Sequence, residues 1–184
     1  MALRADSYKL GHHRGTLWVR TRKAGAAAMA GHDLAIEVTN WEATVEVGDS
    51  GAPTSIVLTA DPRSLRVREG TGGIASLGDD DKASIEQTID EEVLKGTPIE
   101  FRSTAVETAD DGRRLDVAGD LELGGQSHPI AFELILDEDG RLTGSAMVKQ
   151  SGWGIKPYSG LFGTLKVVDE VTVEVAAELS SDTG

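Results

Sequence analysis

RRLDVAGDLELGGQSHPIAFELIL (residues 113–136) alternates apolar and polar side chains on both sides of a Gly-Gly step. Leu115, Val117, Leu121 and Leu123 take odd positions, while Ile130, Phe132, Leu134 and Leu136 take even ones. Successive side chains of a strand point to opposite sides, so a period of two puts each set on one face. Gly124-Gly125 supplies the turn between them. The stretch predicts an antiparallel hairpin with one dry face and one wet face.

The same alternation continues outward. In IEFRSTAVET (99–108), Ile99, Phe101, Ser103 and Ala105 share a face; in DEVTVEVAAEL (169–179), Val171, Val173, Val175, Ala177 and Leu179 do. Asp-Gly at 111–112 and 139–140, with VEVGDSGAP and LGGQSHP, punctuates the runs with hairpin-turn residues. Between Asp33 and Val47 the apolar phase shifts from Leu34, Ile36 and Val38 to Trp41, Ala43, Val45 and Val47. One extra residue near Thr39 or Asn40 predicts a bulge that bends a long strand. A single segment departs from the period. DDDKASIEQTIDEEVLK (79–95) spaces Ile85, Ile89, Val93 and Leu94 helically, opens on aspartates and is closed by Gly96 and Pro98. It predicts one amphipathic helix over about residues 80–95, packed against the sheet.

Strands are expected near residues 15–23, 33–47, 54–60, 98–107, 114–124, 128–137, 141–150 and 169–179. Eight sequential strands predict an all-β fold, a single antiparallel eight-stranded up-and-down barrel, because closure removes exposed edges. The 184 residues suit one such domain, with no repeat, linker or low-complexity tail.

Composition removes several function classes. There is no cysteine, hence no disulfide, thiol nucleophile or thiolate metal site. Acidic residues outnumber basic ones 31 to 18, a net charge of −13 that disfavours nucleic acid and anionic lipid surfaces. No run of apolar residues is long enough for a membrane-spanning helix, so no stable membrane insertion is expected. MALRADSYKLGHHRGTLWV lacks the apolar core of a secretory signal, which makes the cytoplasm the expected location.

An eight-stranded barrel is either filled by its own side chains or holds one small ligand. Aromatics make up only 4% of this chain, and the expected inward set includes Ala43, Ser103, Ala105, Gly119, Gly144, Ala146 and Ala177. Small inward residues leave volume, although the same set could also pack tightly in a tapering barrel.

Three stretches carry a family resemblance: GHDLAIEVTNWEATVEV (31–47), DKASIEQTIDEEVLKGTPIEFRS (82–103) and VAGDLELGGQSHPIAFELIL (117–136). With the terminal QSGWGIKPYSGLFGTLKVVDEVTVEV, they resemble the YceI-like family of polyisoprenoid-binding, lipocalin-like proteins, in its actinobacterial branch, over about residues 8–179. The resemblance implies an elongated barrel whose interior takes an isoprenoid-type lipid such as a polyprenol or a quinone tail, with no cofactor required. A homodimer is implied by the resemblance alone. This chain departs from the family's pattern in having His128-Pro129 after the glycine turn, where many relatives have arginine-proline.

The ligand is expected among Leu34, Ile36, Phe101, Leu121 and Phe132, with His32 and the loop bearing Trp153, Tyr158 and Phe162 near an opening. His32 either donates to a ligand head group or bonds to Asp33 and a loop carbonyl. The SGWGIKPYSGLFG loop (151–163) is either a lid or a permanent plug. Met29 is expected at the cavity mouth, and Trp18 and Trp41 in the core or wall. His12, His13, His32 and His128 show no metal-ligand spacing. GDSGAP (48–53) resembles the nucleophile loop of trypsin-like proteases but has no base to go with it, and reads as a hairpin turn. The acidic helix is expected to face a basic partner or the basic N-terminal strand. The main reading is a non-catalytic carrier of an elongated apolar molecule. Its rivals are a cofactor-free hydratase or isomerase using His32, and a stress-related interaction protein with a filled barrel.

Overall fold

The computed structural model describes residues 3–160 and 165–179. The alternating runs form β1 (Asp6–Gly11), β2 (Gly15–Thr21), β4 (Asp33–Val38), β5 (Trp41–Val47), β6 (Pro53–Ala60), β7 (Leu65–Thr71), β8 (Ile99–Thr108), β9 (Arg114–Leu123), β10 (Gln126–Leu136), β11 (Arg141–Lys149) and β14 (Glu170–Glu178). They make one antiparallel sheet of eleven strands in the order β1-β5-β6-β8-β9-β10-β11-β14-β2-β4-β7, curled into a half-barrel. A small second sheet joins β3 (Lys23–Ala24), β12 (Ser159–Gly160) and β13 (Leu165–Val167).

The fold is all-β with one short helix, but eleven main strands replace the eight expected. One of the three extra strands arises where the expected 33–47 strand breaks and changes partner, and the other two are β1 and β7, which the alternation does not announce. β5 pairs with β1 and β6, whereas β4 pairs with β2 and β7. The phase shift at Thr39–Asn40 is therefore the end of one strand and the start of another, not a bulge. Ser64 pins this corner: its carbonyl accepts from the Thr39 amide and hydroxyl (both 2.9 Å), and its own hydroxyl donates to Asn40 O at 3.2 Å. The bulges lie elsewhere. One between Ser103 and Ala105 shifts β8 by a residue. Ala105 is consequently exposed, and Val106 packs on the core in its place.

The helix is shorter than expected. α1 spans Asp79–Thr88 and passes into a π-turn at Ile89–Val93. The Asp81 carboxylate accepts from the Gly78 amide at 2.9 Å, tying down the first turn. Glu86 and Lys82 of the helix meet β7 rather than the N-terminal strand, while Asp79, Asp80, Asp81, Glu91 and Glu92 are exposed. Glu86 accepts from the Val67 amide at 2.9 Å and lies 3.8 Å from Arg66, while Lys82 donates to Arg68 O at 3.4 Å. Side chains of α1 thus satisfy backbone groups on the free edge of β7, which would otherwise offer a template for another strand.

Candidate functional site

The concave side of the sheet encloses a chamber of about 530 Å³, within the roughly 300–1,000 Å³ usual for small-molecule sites. Aliphatic side chains from β2, β4, β5, β6, β8, β9, β10, β11 and β14 line it, and Ile85, Ile89 and Val93 beside β7 complete the wall. Of the seven small residues expected to face inward, Ala43 and Ala146 line the chamber, whereas Ser103, Ala105, Gly119, Gly144 and Ala177 do not. Gly119 is buried below the Phe101 ring, and a Cβ there would lie 2.7 Å from ring carbons and collide with the Arg102 carbonyl. Gly119 thereby frees the place in which Phe101 meets Phe132, ring centroids 5.3 Å apart at 56°. Gly119→Val is expected to cost about 2–3 kcal/mol, as overpacking against a backbone atom does, read as a lower urea midpoint. A cost below about 0.5 kcal/mol would show that Phe101 is free to move aside.

Leu34, Ile36, Phe101, Leu121, Phe132, His32 and Tyr158 all line the chamber. Trp153 does not. It is buried in a second cluster with Val148 and Ile155, where its Nε1–H donates to Leu121 O at 2.7 Å and its ring meets the edge of His128 at 5.9 Å. Phe162 lies outside the described residues. The 3-10 turn Gln150–Trp153 is fastened to the residue before β14, since Asp169 accepts from both the hydroxyl and the amide of Ser151. Those two bonds, the hydroxyl's first, hold the Asp169 carboxyl below its ordinary 3.8. A depressed carboxylate stabilises the fold above its unfolded value and ceases to as pH falls through the lowered one. Ser151→Ala is expected to move the Asp169 titration back up toward 3.8 in a carboxyl-detected NMR experiment.

His32 Nε2 lies 2.7 Å from Ala75 O. A carbonyl only accepts, so Nε2 carries the proton in this bond and Nδ1 is the basic nitrogen of the neutral ring. Trp41 is core, 3% exposed. Trp18 instead sits on the outer face of the wall, opposite Glu37 and Glu174, with the Arg20 guanidinium 5.1 Å from its ring. Met29 is 83% exposed on the turn Ala28–Ala30, whose Ala30 lines the chamber. GDSGAP closes the β5–β6 hairpin through Gly48 N–H to Ala52 O at 3.0 Å. Among the described residues no group of three His, Asp or Glu is placed to hold a metal, and no helix is long and apolar enough to cross a membrane.

Sequence reading missed two features of the chamber. The lining carries Lys23 and Lys166 and, among the described residues, no carboxylate. Trp41 also contributes, and its buried Nε1–H has no partner among the described residues. Neither is announced by local pattern, because Lys23 and Lys166 reach the lining through the β3–β13 pairing of residues far apart in sequence, Lys23 opposite Val167 and Lys166 opposite Ala24.

A curled antiparallel sheet around an apolar chamber, with a helix on one flank, defines the lipocalin-like class of binding proteins. Within that class the match is specific: the profile of the YceI-like domain covers residues 8–179, and the chain belongs to the YceI-like family. Among solved structures it is similar to Burkholderia cenocepacia BcnA, at 15% identity over 91% of this chain and 97% of that one, with a TM-score of 0.66. It also resembles the Campylobacter jejuni YCEI protein, at 12% identity over 79% and 85% of the two chains, with a TM-score of 0.52. No curated protein matches it significantly.

Proposed function

We propose that this protein binds and carries an elongated apolar molecule, an isoprenoid chain such as that of a polyprenol or quinone, and does no chemistry on it. The observation that carries this reading is the chamber itself: about 530 Å³, bounded by Leu, Ile, Val and Phe side chains that leave it unfilled. Every Å² of chain removed from water there contributes about 25 cal/mol, so affinity grows with length without any polar contact along the wall. Membership of a family of lipocalin-like binding proteins supports the same reading. An enzyme built on this chamber would rest on His32, whose Nε2 is engaged by a loop carbonyl, with no described carboxylate bonded to its other nitrogen. The test is native mass spectrometry of freshly purified protein, followed by organic extraction. A co-purifying molecule of isoprenoid mass is the expected result. An apo mass, together with no thermal shift on adding quinones or polyprenols, would sink the proposal.

A further inference from the structure

We infer that the protein takes up and releases its guest at a lipid bilayer, on which the rim of the chamber docks through Met29, Ile74 and Tyr158. This rests on the carrier reading and names the surface from which the guest is drawn.

Two loops make the rim. AGAAAMAG (24–31) and TGGIASLG (71–78) hold no charged residue, in a chain that is 27% charged. They form one surface because His32, which follows the first loop, grips the second. Its Nε2 lies 2.7 Å from Ala75 O, and its ring fills the place where a Cβ on Gly73 would stand. Ile74 is held between those two contacts and is 84% exposed, while Met29 on the neighbouring turn is 83% exposed. Among the described residues these are the two most exposed large apolar side chains. Half-exposed Tyr158 joins them from the far side of β13, where its carbonyl accepts from the Val167 amide at 3.0 Å. Single apolar side chains facing water are ordinary, but a group of them around one opening marks an interaction surface.

The chamber reaches the surface at this rim. Ala30 and Tyr158 line it and are themselves exposed, and Gly31 and Leu77 line it from the two loops. A guest that is apolar throughout is scarcely soluble, so its path from a bilayer to the chamber has to be dry. A rim seated in the lipid boundary provides that path without inserting a helix or strand. Charge favours the same occupant. Around the small second sheet Arg22, Lys156 and Lys166 are exposed, and among the described residues none lies within ion-pair distance of a carboxylate. Such long basic side chains reach lipid phosphates while apolar neighbours and a tyrosine enter the boundary beside them. The exposed Asp79, Asp80 and Asp81 begin only beyond Gly78 and bound this face on the α1 side. A net charge of −13 opposes anionic lipid, so the contact rests on apolar insertion into a zwitterionic surface.

Co-sedimentation with phosphatidylcholine vesicles tests this, beside titration with geranylgeraniol delivered from cyclodextrin. The unaltered protein is expected to partition onto the vesicles. Met29→Ser with Ile74→Ser should partition on the order of tenfold or more weakly, with geranylgeraniol affinity and the unfolding midpoint unchanged. Transfer of geranylgeraniol from vesicles to protein should slow by a similar factor. No partition by the unaltered protein, or equal partition by both, overturns the inference, and geranylgeraniol binding then leaves the carrier reading standing. A dimer that the double variant abolishes, without partition onto vesicles, overturns it in favour of a second copy as the occupant. Partition with no binding of geranylgeraniol from either source overturns the carrier reading and the uptake with it. Should the double variant not fold, Ile74→Ser alone decides on the same readouts.

Discussion

Ala146→Phe will fold like the unaltered protein and lose affinity for an isoprenoid ligand by roughly a thousandfold. Ala146 lies on β11 opposite Val173 of β14, and both side chains face the chamber. A phenyl ring there enters space that no side chain fills, so the strain of overpacking a dense core does not apply, and stability should hold or rise. The ligand pays instead. Expelling one isoprene unit removes about five buried carbons at ~0.8 kcal/mol each, which is roughly 4 kcal/mol or three decades in Kd. Titration gives the affinity and thermal unfolding gives the control. Unchanged affinity in a folded Ala146→Phe protein would place the ligand outside the chamber and end the carrier proposal.

The largest loss of stability is expected from Trp153→Ala, at about 3–5 kcal/mol. Trp153 is 7% exposed, packs with Val148 and Ile155, and leans on Leu121, Leu123 and Ile130. Its indole N–H also satisfies the Leu121 carbonyl. Truncation opens a void next to residues that themselves line the chamber. Trp153→Phe should recover most of the loss and stay short by about 1 kcal/mol, the net worth of the hydrogen bond. Urea unfolding of the three proteins measures both steps. A loss under about 1 kcal/mol for Trp153→Ala would mean that the 150–153 turn is not a structural plug.

How much of this is legible in the sequence depends on the faces each strand presents. β9, β10 and β14 carry water on one side and the chamber on the other, so their period of two is clean and their inward residues are read correctly. β1 and β7 escape notice for a physical reason. DSYKLG buries only Tyr8, Leu10 and Gly11, and LRVREGT only Leu65 and Val67, too few alternations to stand out from charged neighbours. Ala105 is misplaced because a bulge is set by the partner strand, and nothing in IEFRSTAVET announces it. Leu34, Ile36, Phe101, Leu121 and Phe132 of the chamber lining follow from periodicity, whereas the burial of Trp153 and the outward turn of Trp18 depend on tertiary proximity. Family membership could be read from diffuse strand patterns because those patterns span nearly the whole chain.

α1 is attached to the edge of β7 through the side chains of Glu86 and Lys82, and it shares no ladder with any strand. Most of the remaining wall residues lie in strands and are bound to a register that their neighbours enforce. Ile85, Ile89 and Val93 are free of that constraint, which makes this flank the adjustable part of the container. Shortening or lengthening those three side chains alters how bulky a guest is admitted, while the hydrogen-bonded frame is left as it was. If the chamber holds a ligand as proposed, variation in what it accepts would accumulate on the helix first, and an engineer wishing to change it should begin there.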